Sequence, residues 1–345
     1  MLYYLDNDQS QASPANENYA RELLELHTLG AAAYLNDLYA NWREVPGAEA
    51  GAGEGYIDQD VYEVARAFTG WSVGDGRYLA EGVDAPRSGT FNYVEAWHDP
   101  YQKRILGREF QPHSGPMEDG DEVLDILSRH PATARFISEK LARRFLADAP
   151  PKELVAELAE VFLTHADAPD QIAQVLRRLV QSKAFSATPP EKVRRPFEFL
   201  TALFRATGAE ITGTSNAFVW HLSRAGWQVH TYGPPTGHPD TAGAWTGAST
   251  LNRLVDYAIE AHEDWFEVAT TEFSSLGPGE SYRDFVARFA GALAPGRVDE
   301  VVAALQDVYG NDPAALVAEM PDDDRKGMAR MAVAFAALTP DFLLR

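Results

Sequence analysis

A short segment near the N-terminus carries the residues best suited to chemistry. If it is helical, at about 100° per residue, spacings of three and four place the Asn18 amide beside the carboxylates of Glu22 and Glu25. Two neighbouring carboxylates and an amide can bind a hard divalent cation or act as an acid–base pair. His27 falls on the opposite, apolar side, so we expect it in the core rather than in a Glu-x-His metal site. The alternative is a solvated helix face on which Arg21 balances the acids.

Two further candidates lie outside this segment. His98 can supply a general base or a metal ligand, whereas Asp99 beside it can simply cap a turn. Arg66 can orient an anionic group, but its position three residues after Glu63 also predicts a structural ion pair.

The C-terminal half offers two groups that can contact a ligand. A dense basic cluster is formed by Lys192, Arg194 and Arg195. We expect this cluster, with Arg195 as its candidate binding residue, either to receive an anion or to bind the acidic face of the first helix. Trp245 follows a rigid Gly/Pro-rich loop and can stack on a sugar or peptide, or anchor that loop in the core. A weaker alternative is carbohydrate binding through Trp71, Trp97 and Trp245.

The elements that must position these side chains are overwhelmingly helical. Apolar residues at helical spacing predict helices over residues 14–30, 34–42, 58–71, 121–129, 132–147, 152–165, 170–183, 191–206 and 215–225, and further helices across 249–337. We expect Asp58 to cap the helix at 58–71. Residues 72–120 are irregular, with one strand at 89–94 that we expect to pair near 104–106.

The predicted fold is therefore mainly α, a compact multi-helix domain with an irregular Gly/Pro-rich region and at most a short β-hairpin. We expect one domain over residues 1–345, with N-terminal helices at 1–71, the irregular region at 72–120 and a helical body at 121–345.

Composition excludes several classes of function. The chain has 345 residues, no cysteine and a formal net charge of −21, which argues against binding to nucleic acid or to anionic membrane surfaces. No apolar run approaches the roughly 20 residues of a membrane span, and Met1 opens no signal peptide. The motifs of serine hydrolases, P-loop proteins, zincins and Rossmann dehydrogenases are missing from the sequence.

Several segments together resemble a bacterial family known as domain of unknown function 1800. The matching segments, in chain order, are Tyr4-Leu5-Asp6, residues 16–30, Asp60-Val61, residues 65–71, Trp97-His98-Asp99 with Lys103, His130-Pro131, residues 133–136, Lys140-Leu141, residues 192–196, residues 234–237 with Trp245, and Pro340-Asp341-Phe342. Residues 16–30 and 65–71 are the specific blocks, and the others support them.

The resemblance implies a bacterial protein whose relatives are often exported, although the localisation of this chain stays unknown. Relatives generally have an additional N-terminal section with a Phe-Trp-His-Asn-His-Phe-like motif, whose histidines are candidate partners of the Glu22/Glu25 face. The gene is often found beside one for a protein that resembles sulfatases and alkaline phosphatases. The family has no agreed reaction.

Two functions follow as hypotheses. The first is a carboxylate-based hydrolase of an exported bacterial system, working either with a divalent metal or without one. Glu22 and Glu25 would be its acid–base or ligand pair, Asn18 and His98 would support them, and Arg66 or Arg195 would orient an anion. The second is a non-catalytic accessory or scaffold protein that binds a sulfatase- or phosphatase-like partner.

Overall fold

Two units make up the chain. The computed structural model describes residues 1–35, 41–80, 83–260, 264–271, 277, 279–310, 312 and 314–345. One unit comprises Met1–Arg143 and Ala149–Ala187, and the other comprises Arg144–Asp148 and Thr188–Arg345. Both are built mainly from helices with only short strands, which confirms the predicted fold class.

The first unit contains helices that the apolar periodicity predicts well. Its helices are α1 (Glu17–Glu22), α2 (Asp58–Ala67), α3 (Glu118–Ser128), α4 (Pro131–Phe145, whose last turn enters the second unit), α5 (Lys152–Thr164), α6 (Gln171–Val180) and α7 (Lys183–Ala187). The predictions for α3 to α6 are confirmed to within a few residues at each end. The helix expected at residues 34–42 falls largely on 36–40, which lie outside the described residues.

Six short strands form three antiparallel pairs between α2 and α3. They are β1 (Trp71–Val73), β2 (Tyr78–Ala80), β3 (Val83–Asp84), β4 (Phe91–Tyr93), β5 (Lys103–Ile105) and β6 (Arg108–Phe110). The strand expected at residues 89–94 is present as β4, but its partner is β1. The predicted pairing with 104–106 is wrong, because β5 turns back at once to pair with β6.

The core of the first unit joins α1, α2 and this irregular region. Tyr19 of α1 meets Phe68 edge to face at 5.3 Å between ring centroids, and Phe68 meets Trp71 at 4.9 Å. Trp71 in turn packs on Phe91 of β4 at 5.2 Å. This aromatic series fixes the irregular region against the first two helices, so the candidate residues on both lie on a rigid support.

The helices of the second unit surround a separate core. They are α8 (Pro196–Ala206), α9 (Asn216–Arg224), α10 (Ala248–Ile259), α11 (Tyr282–Leu293), α12 (Val298–Tyr309), α13 (Asp322–Ala337) and α14 (Pro340–Leu343), with short strands β7 (Glu210–Ile211), β8 (Asp264–Trp265) and β9 (Ala269–Thr270). α11 and α13 each contribute more buried apolar side chains to this core than any other helix of the unit. In the described part of the chain, no helix is both long and apolar enough to cross a bilayer.

One helix boundary in the second unit differs from prediction. The expected helix at 191–206 begins only at Pro196, where α8 starts. The preceding residues are extended, since Val193 bridges Leu344 and the backbone N–H of Arg194 donates to the carbonyl of Leu343 at 2.8 Å. A residue before proline is also disfavoured in the helical region, which reinforces the late start.

Candidate functional site

The first candidate cluster lies on α1 and on the π-helical turn that follows it. Asn16 caps the helix, because its Oδ1 accepts from the backbone N–H groups of Asn18 at 2.9 Å and Tyr19 at 3.4 Å. The turn ends at His27, and Gly30 follows it with a φ of 89° and a backbone N–H that donates to the carbonyl of Leu24 at 3.0 Å. A residue with a side chain at position 30 would place its Cβ 2.7 Å from the Phe136 ring. These contacts fix both ends of the segment.

The π-helical turn at Leu23–His27 changes which side chains share a face. The prediction assumed a regular α-helix, and the wider turn rotates the residues after Glu22 relative to α1. His27 is exposed, so the prediction that it belongs to the core is wrong. Glu22 and Glu25 are half-buried, and Asn18 is exposed.

Arg21 pairs with Asp58 rather than with Glu25. Its Nη2 donates to Asp58 Oδ1 at 2.9 Å, and the Tyr34 hydroxyl donates to the same oxygen at 2.6 Å. These two hydrogen bonds, from Tyr34 and Arg21, lower the pKa of Asp58. Asp58 is therefore engaged at its side chain, and the N–H of Ile57 at the start of α2 is bonded instead by Asp60 at 2.9 Å. The expectation that Asp58 caps α2 is wrong.

Glu22 is left with an unsatisfied carboxylate. Its Oε2 is buried and has no hydrogen-bond partner among the described residues. Burial and the negative charge of Glu25 raise the pKa of Glu22, and Arg21 offsets them only in part. The hydroxyl of Tyr56, a fully buried side chain, also has no partner within the described ranges. Burial, with the charges of Glu25 and Glu22, raises the pKa of Tyr56 as well. Burial therefore makes the charged form of each group less favourable than it is in water.

Arg66 belongs to a different cluster, which joins α2 to the irregular region. Its Nε and Nη2 donate to the two oxygens of Asp99 at 2.8 and 3.0 Å, a bidentate pair. Its Nη1 donates to Glu63 at 2.6 Å, which confirms the predicted i,i+3 ion pair, and to the carbonyl of Gln102 at 3.1 Å. Burial acts against ionisation, but Arg66 and the Tyr101 N–H hold the pKa of Asp99 below its usual value.

Lys103 and Asp119 form the buried centre of the same network. The Lys103 side chain is 0% exposed, and its Nζ donates to Asp119 Oδ2 at 2.5 Å and to the carbonyls of Asp99 and Tyr101 at 2.6 and 2.9 Å. Ser114 donates to the other Asp119 oxygen at 2.5 Å. Although burial opposes ionisation, the hydrogen bonds to Asp119 lower its pKa to about 2.

His98 is enclosed by this network. Its side chain is 7% exposed, and its Nε2 lies 3.4 Å from Asp119 Oδ2. Its Nδ1 donates to the carbonyl oxygen of Thr69 at 3.0 Å. The Thr69 hydroxyl also accepts from the backbone N–H of Asp99 at 2.8 Å. Thr69 therefore holds both His98, through its carbonyl, and Asp99, through its hydroxyl.

The predicted site residues of the first unit therefore lie in two clusters. We define the carboxylate cluster as Glu22, Glu25 and Tyr56, and the buried network as Arg66, His98, Asp99, Lys103 and Asp119. Among the described residues, no hydrogen bond or ion pair connects the two groups. Within the same ranges, no three histidine, aspartate or glutamate side chains are placed together to hold a metal ion. The carboxylate cluster thus offers two carboxylates to a cation, fewer than a protein-built site normally uses.

The basic cluster of the second unit pairs within its own unit. Arg195 donates through its backbone N–H and its Nη2 to Glu198 at 3.0 and 2.9 Å, and its guanidinium lies over the Trp227 ring at 4.9 Å. Lys192 pairs with Asp148, and Arg195 lies 3.6 Å from Asp240. Asp148, Glu198 and Asp240 are thus the acidic partners of Lys192 and Arg195 within the second unit, and the binding of this cluster to the acidic face of the first helix stays a prediction.

Trp245 anchors the Gly/Pro-rich loop that precedes it. The residue is 4% exposed, and its Nε1 donates to the carbonyl of Pro239 at 2.8 Å. Its ring lies 5.8 Å from Trp227 and 6.1 Å from His238. Of the two roles considered for Trp245, the buried anchor agrees with its position.

Sequence reasoning missed three residues that organise these clusters. Asp119 gave no signal, because its charged partner Lys103 lies 16 residues earlier in the chain, and Tyr56 gave none, because its local spacing does not mark it as fully buried. Glu198 could have been found, since it stands three residues after Arg195 at the start of a helix, where acidic side chains bond back to the cap.

The fold and its clusters define a mainly α-helical protein stabilised by buried ion-pair networks. A family model described as "Protein of unknown function (DUF1800)" matches residues 1–344, so the match spans both units. The chain belongs to this family. No curated protein and no solved structure matches it.

Proposed function

We propose that this protein is a non-catalytic accessory protein that binds a sulfatase- or phosphatase-like partner of an exported bacterial system. The observation that supports this is that the polar groups of the buried network are bonded to one another. Its residues include much of what gives the chain its family resemblance, and their hydrogen-bonding groups are directed at one another.

A group that acts on a substrate must be able to reach it. The side chains of Lys103 and Asp119 are 0% and 4% exposed, and that of His98 is 7% exposed. Asp119, with a pKa of about 2, stays ionised near neutral pH and is poorly matched to general acid–base work there. These residues are placed to support the fold rather than to act on a substrate, which supports a non-catalytic role.

The partner follows from the gene neighbourhood that the family resemblance implies. The test is to purify this chain and the product of the adjacent gene separately and to mix them for size-exclusion chromatography with light scattering. We expect one complex of defined mass that forms at micromolar concentration. If the two proteins elute separately at all concentrations tested, partner binding of this kind is refuted.

A second candidate function rests on the carboxylate cluster. Glu22 has a buried oxygen without a partner and a raised pKa, next to Glu25. Two carboxylates in such unequal environments can divide acid and base roles, or can bind a divalent metal, in a hydrolase. This remains the alternative to the accessory role.

Glutamine substitutions separate the alternative from a structural role. Glu22→Gln and Glu25→Gln are compared with Glu17→Gln, which changes an exposed acid on the same helix. If the cluster binds metal, titration calorimetry with Mn²⁺ or Zn²⁺ should show uptake by the parent chain and by Glu17→Gln only. If none of the proteins takes up metal and Glu22→Gln melts higher than the parent chain, Glu22 is a strained structural acid and the metal-dependent form of this alternative fails.

A further inference from the structure

A cavity of about 540 Å³ in the second unit carries an excess of positive charge. Its walls come from α8, from the end of α11 and from the C-terminal segment. The charged side chains that line it are Arg194, Arg205, Arg345 and Glu198. Three guanidinium groups thus face one carboxylate, in a protein whose formal net charge is −21.

Glu198 is already saturated by other bonds. Its Oε1 accepts from Arg144, from Arg195 at 2.9 Å and from Arg345 at 3.2 Å. Its Oε2 accepts from the backbone N–H of Arg195 at 3.0 Å. The carboxylate has no bond to Arg194 or Arg205 within the described chain, so it leaves much of the cavity's charge uncompensated.

The cavity arginines retain donors that no described residue uses. The guanidinium of Arg205 makes no hydrogen bond or ion pair with any part of the chain the structure describes, and the residue is exposed. Among the residues described, the Arg194 guanidinium donates only through its Nε, to the carbonyl of Phe342 at 2.6 Å. The Nε of Arg345 is buried without a described partner.

The positive charges also act on one another. Burial and the charge of Arg345 lower the pKa of Arg194, with Glu198 opposing them. Burial likewise lowers the pKa of Arg345, where Glu198 acts against it and Arg144 adds to it. An anion in the cavity would relieve this repulsion.

The rest of the lining is largely apolar. It includes Ala202 and Ala206 of α8, Leu293 of α11 and Phe342 of α14. The volume lies within the roughly 300–1,000 Å³ that is usual for small-molecule sites. A ligand that fits both parts of the lining has a charged head and an apolar body.

We propose that this cavity binds a small organic oxyanion, a carboxylate or a phosphate monoester attached to a short apolar group. Arg205 would donate to the anionic head through the planar N–H pair that suits carboxylate and phosphate oxygens, and the charges of Arg194 and Arg345 would add to the attraction. The apolar body would lie against Leu293 and Phe342. The site is independent of the partner binding proposed above.

The experiment is calorimetric titration of the whole chain with two anionic probes and their neutral counterparts. Phenyl phosphate and hexanoate are compared with phenol and hexan-1-ol, and inorganic phosphate is tested alone. We expect at least one organic anion to bind at millimolar concentration or below, and to bind more tightly than its neutral counterpart and than inorganic phosphate. The stronger of the two anions shows whether the head is a phosphate or a carboxylate.

Variants locate the binding. Arg205→Gln should weaken it by about tenfold or more, the usual worth of a lost charged hydrogen bond, without changing the melting temperature. Arg135→Gln, an exposed arginine on α4 of the first unit, is the matched control and should bind as the parent chain does. The proposal is overturned if neither organic anion binds, if the neutral compounds bind equally well, or if Arg205→Gln binds as tightly as the parent chain.

Discussion

Replacing Lys103 with methionine should strongly destabilise the first unit. The substitution keeps a long unbranched side chain in a position that is 0% exposed, but it removes three hydrogen bonds of 2.5, 2.6 and 2.9 Å. Asp119 keeps its bond from Ser114 and its contact with His98, yet it loses its main counter-ion. Breaking a buried ion pair by removing one partner costs about 3–5 kcal/mol.

The expected loss of melting temperature follows from that free energy. For a unit of this size, each kcal/mol lowers Tm by about 2–4 °C, so the loss is roughly 6–20 °C. Circular dichroism melts at neutral pH measure it. Arg129→Met, which breaks exposed pairs with Asp125 and Asp167, should leave Tm almost unchanged and serves as the control.

A double-mutant cycle tests whether the pair itself is responsible. Lys103→Met combined with Asp119→Asn should cost less than the sum of the two single changes, by about 0.5–3 kcal/mol, since each single change leaves its partner buried and uncompensated. Additive losses, or a Lys103→Met variant that melts within a degree or two of the parent chain, would show that the network does not hold the fold as argued.

Two further predictions concern stability. Gly107→Ala should lower the free energy of unfolding by several kcal/mol, because φ at Gly107 is +80° and the new Cβ would lie 1.9 Å from the Ala48 carbonyl oxygen. Gly89→Ala is the control, since φ there is +68° but no atom lies within 4 Å of the new Cβ, and it should cost only about 1 kcal/mol. Urea unfolding measures both. Stability should also fall as the pH drops from about 4 to 2. The folded-state pKa values of Asp119 and Glu198 are lowered to about 2, below the pKa values of unfolded aspartate and glutamate. Their contribution to stability is therefore complete above the unfolded-state pKa values and is lost as the folded-state carboxylates are protonated. A Tm that stays constant from pH 5 to 2 would contradict this.

Local features of the sequence predicted the helices but not their connections. The apolar spacing that predicts α3 to α6 is contained within each helix, so it survives whatever the helix packs against. The partner of β4 depends on the path of the chain between residues 73 and 91, about which periodicity says nothing. The apolar spacing likewise gave no sign of the π-helical turn after Glu22, and His27, which was expected in the core, is exposed.

The ion pairs show the same limit. Glu63 and Arg66 could be paired from their spacing, whereas the stronger bidentate pair of Arg66 with Asp99 spans 33 residues. Lys103 gave no sign of full burial, since lysine is almost always solvated. Long-range pairs of this kind decide whether a motif residue is structural, and only the folded arrangement shows them.

The distribution of charge distinguishes the sites proposed here from the structural networks. With 51 acidic and 30 basic side chains, most cations can find an acid, and those of the buried network do. The arginine-lined cavity departs from this composition, because its lone carboxylate is shared among several donors while Arg205 has no described partner. Glu22 is the opposite case, because its buried Oε2 has no described partner and Arg21, the cation that acts on it, donates to Asp58. The fold neutralises its other buried charges but leaves the charges of the arginine-lined cavity and of Glu22 without full compensation. A ligand of opposite charge gains most binding free energy where a protein charge is uncompensated.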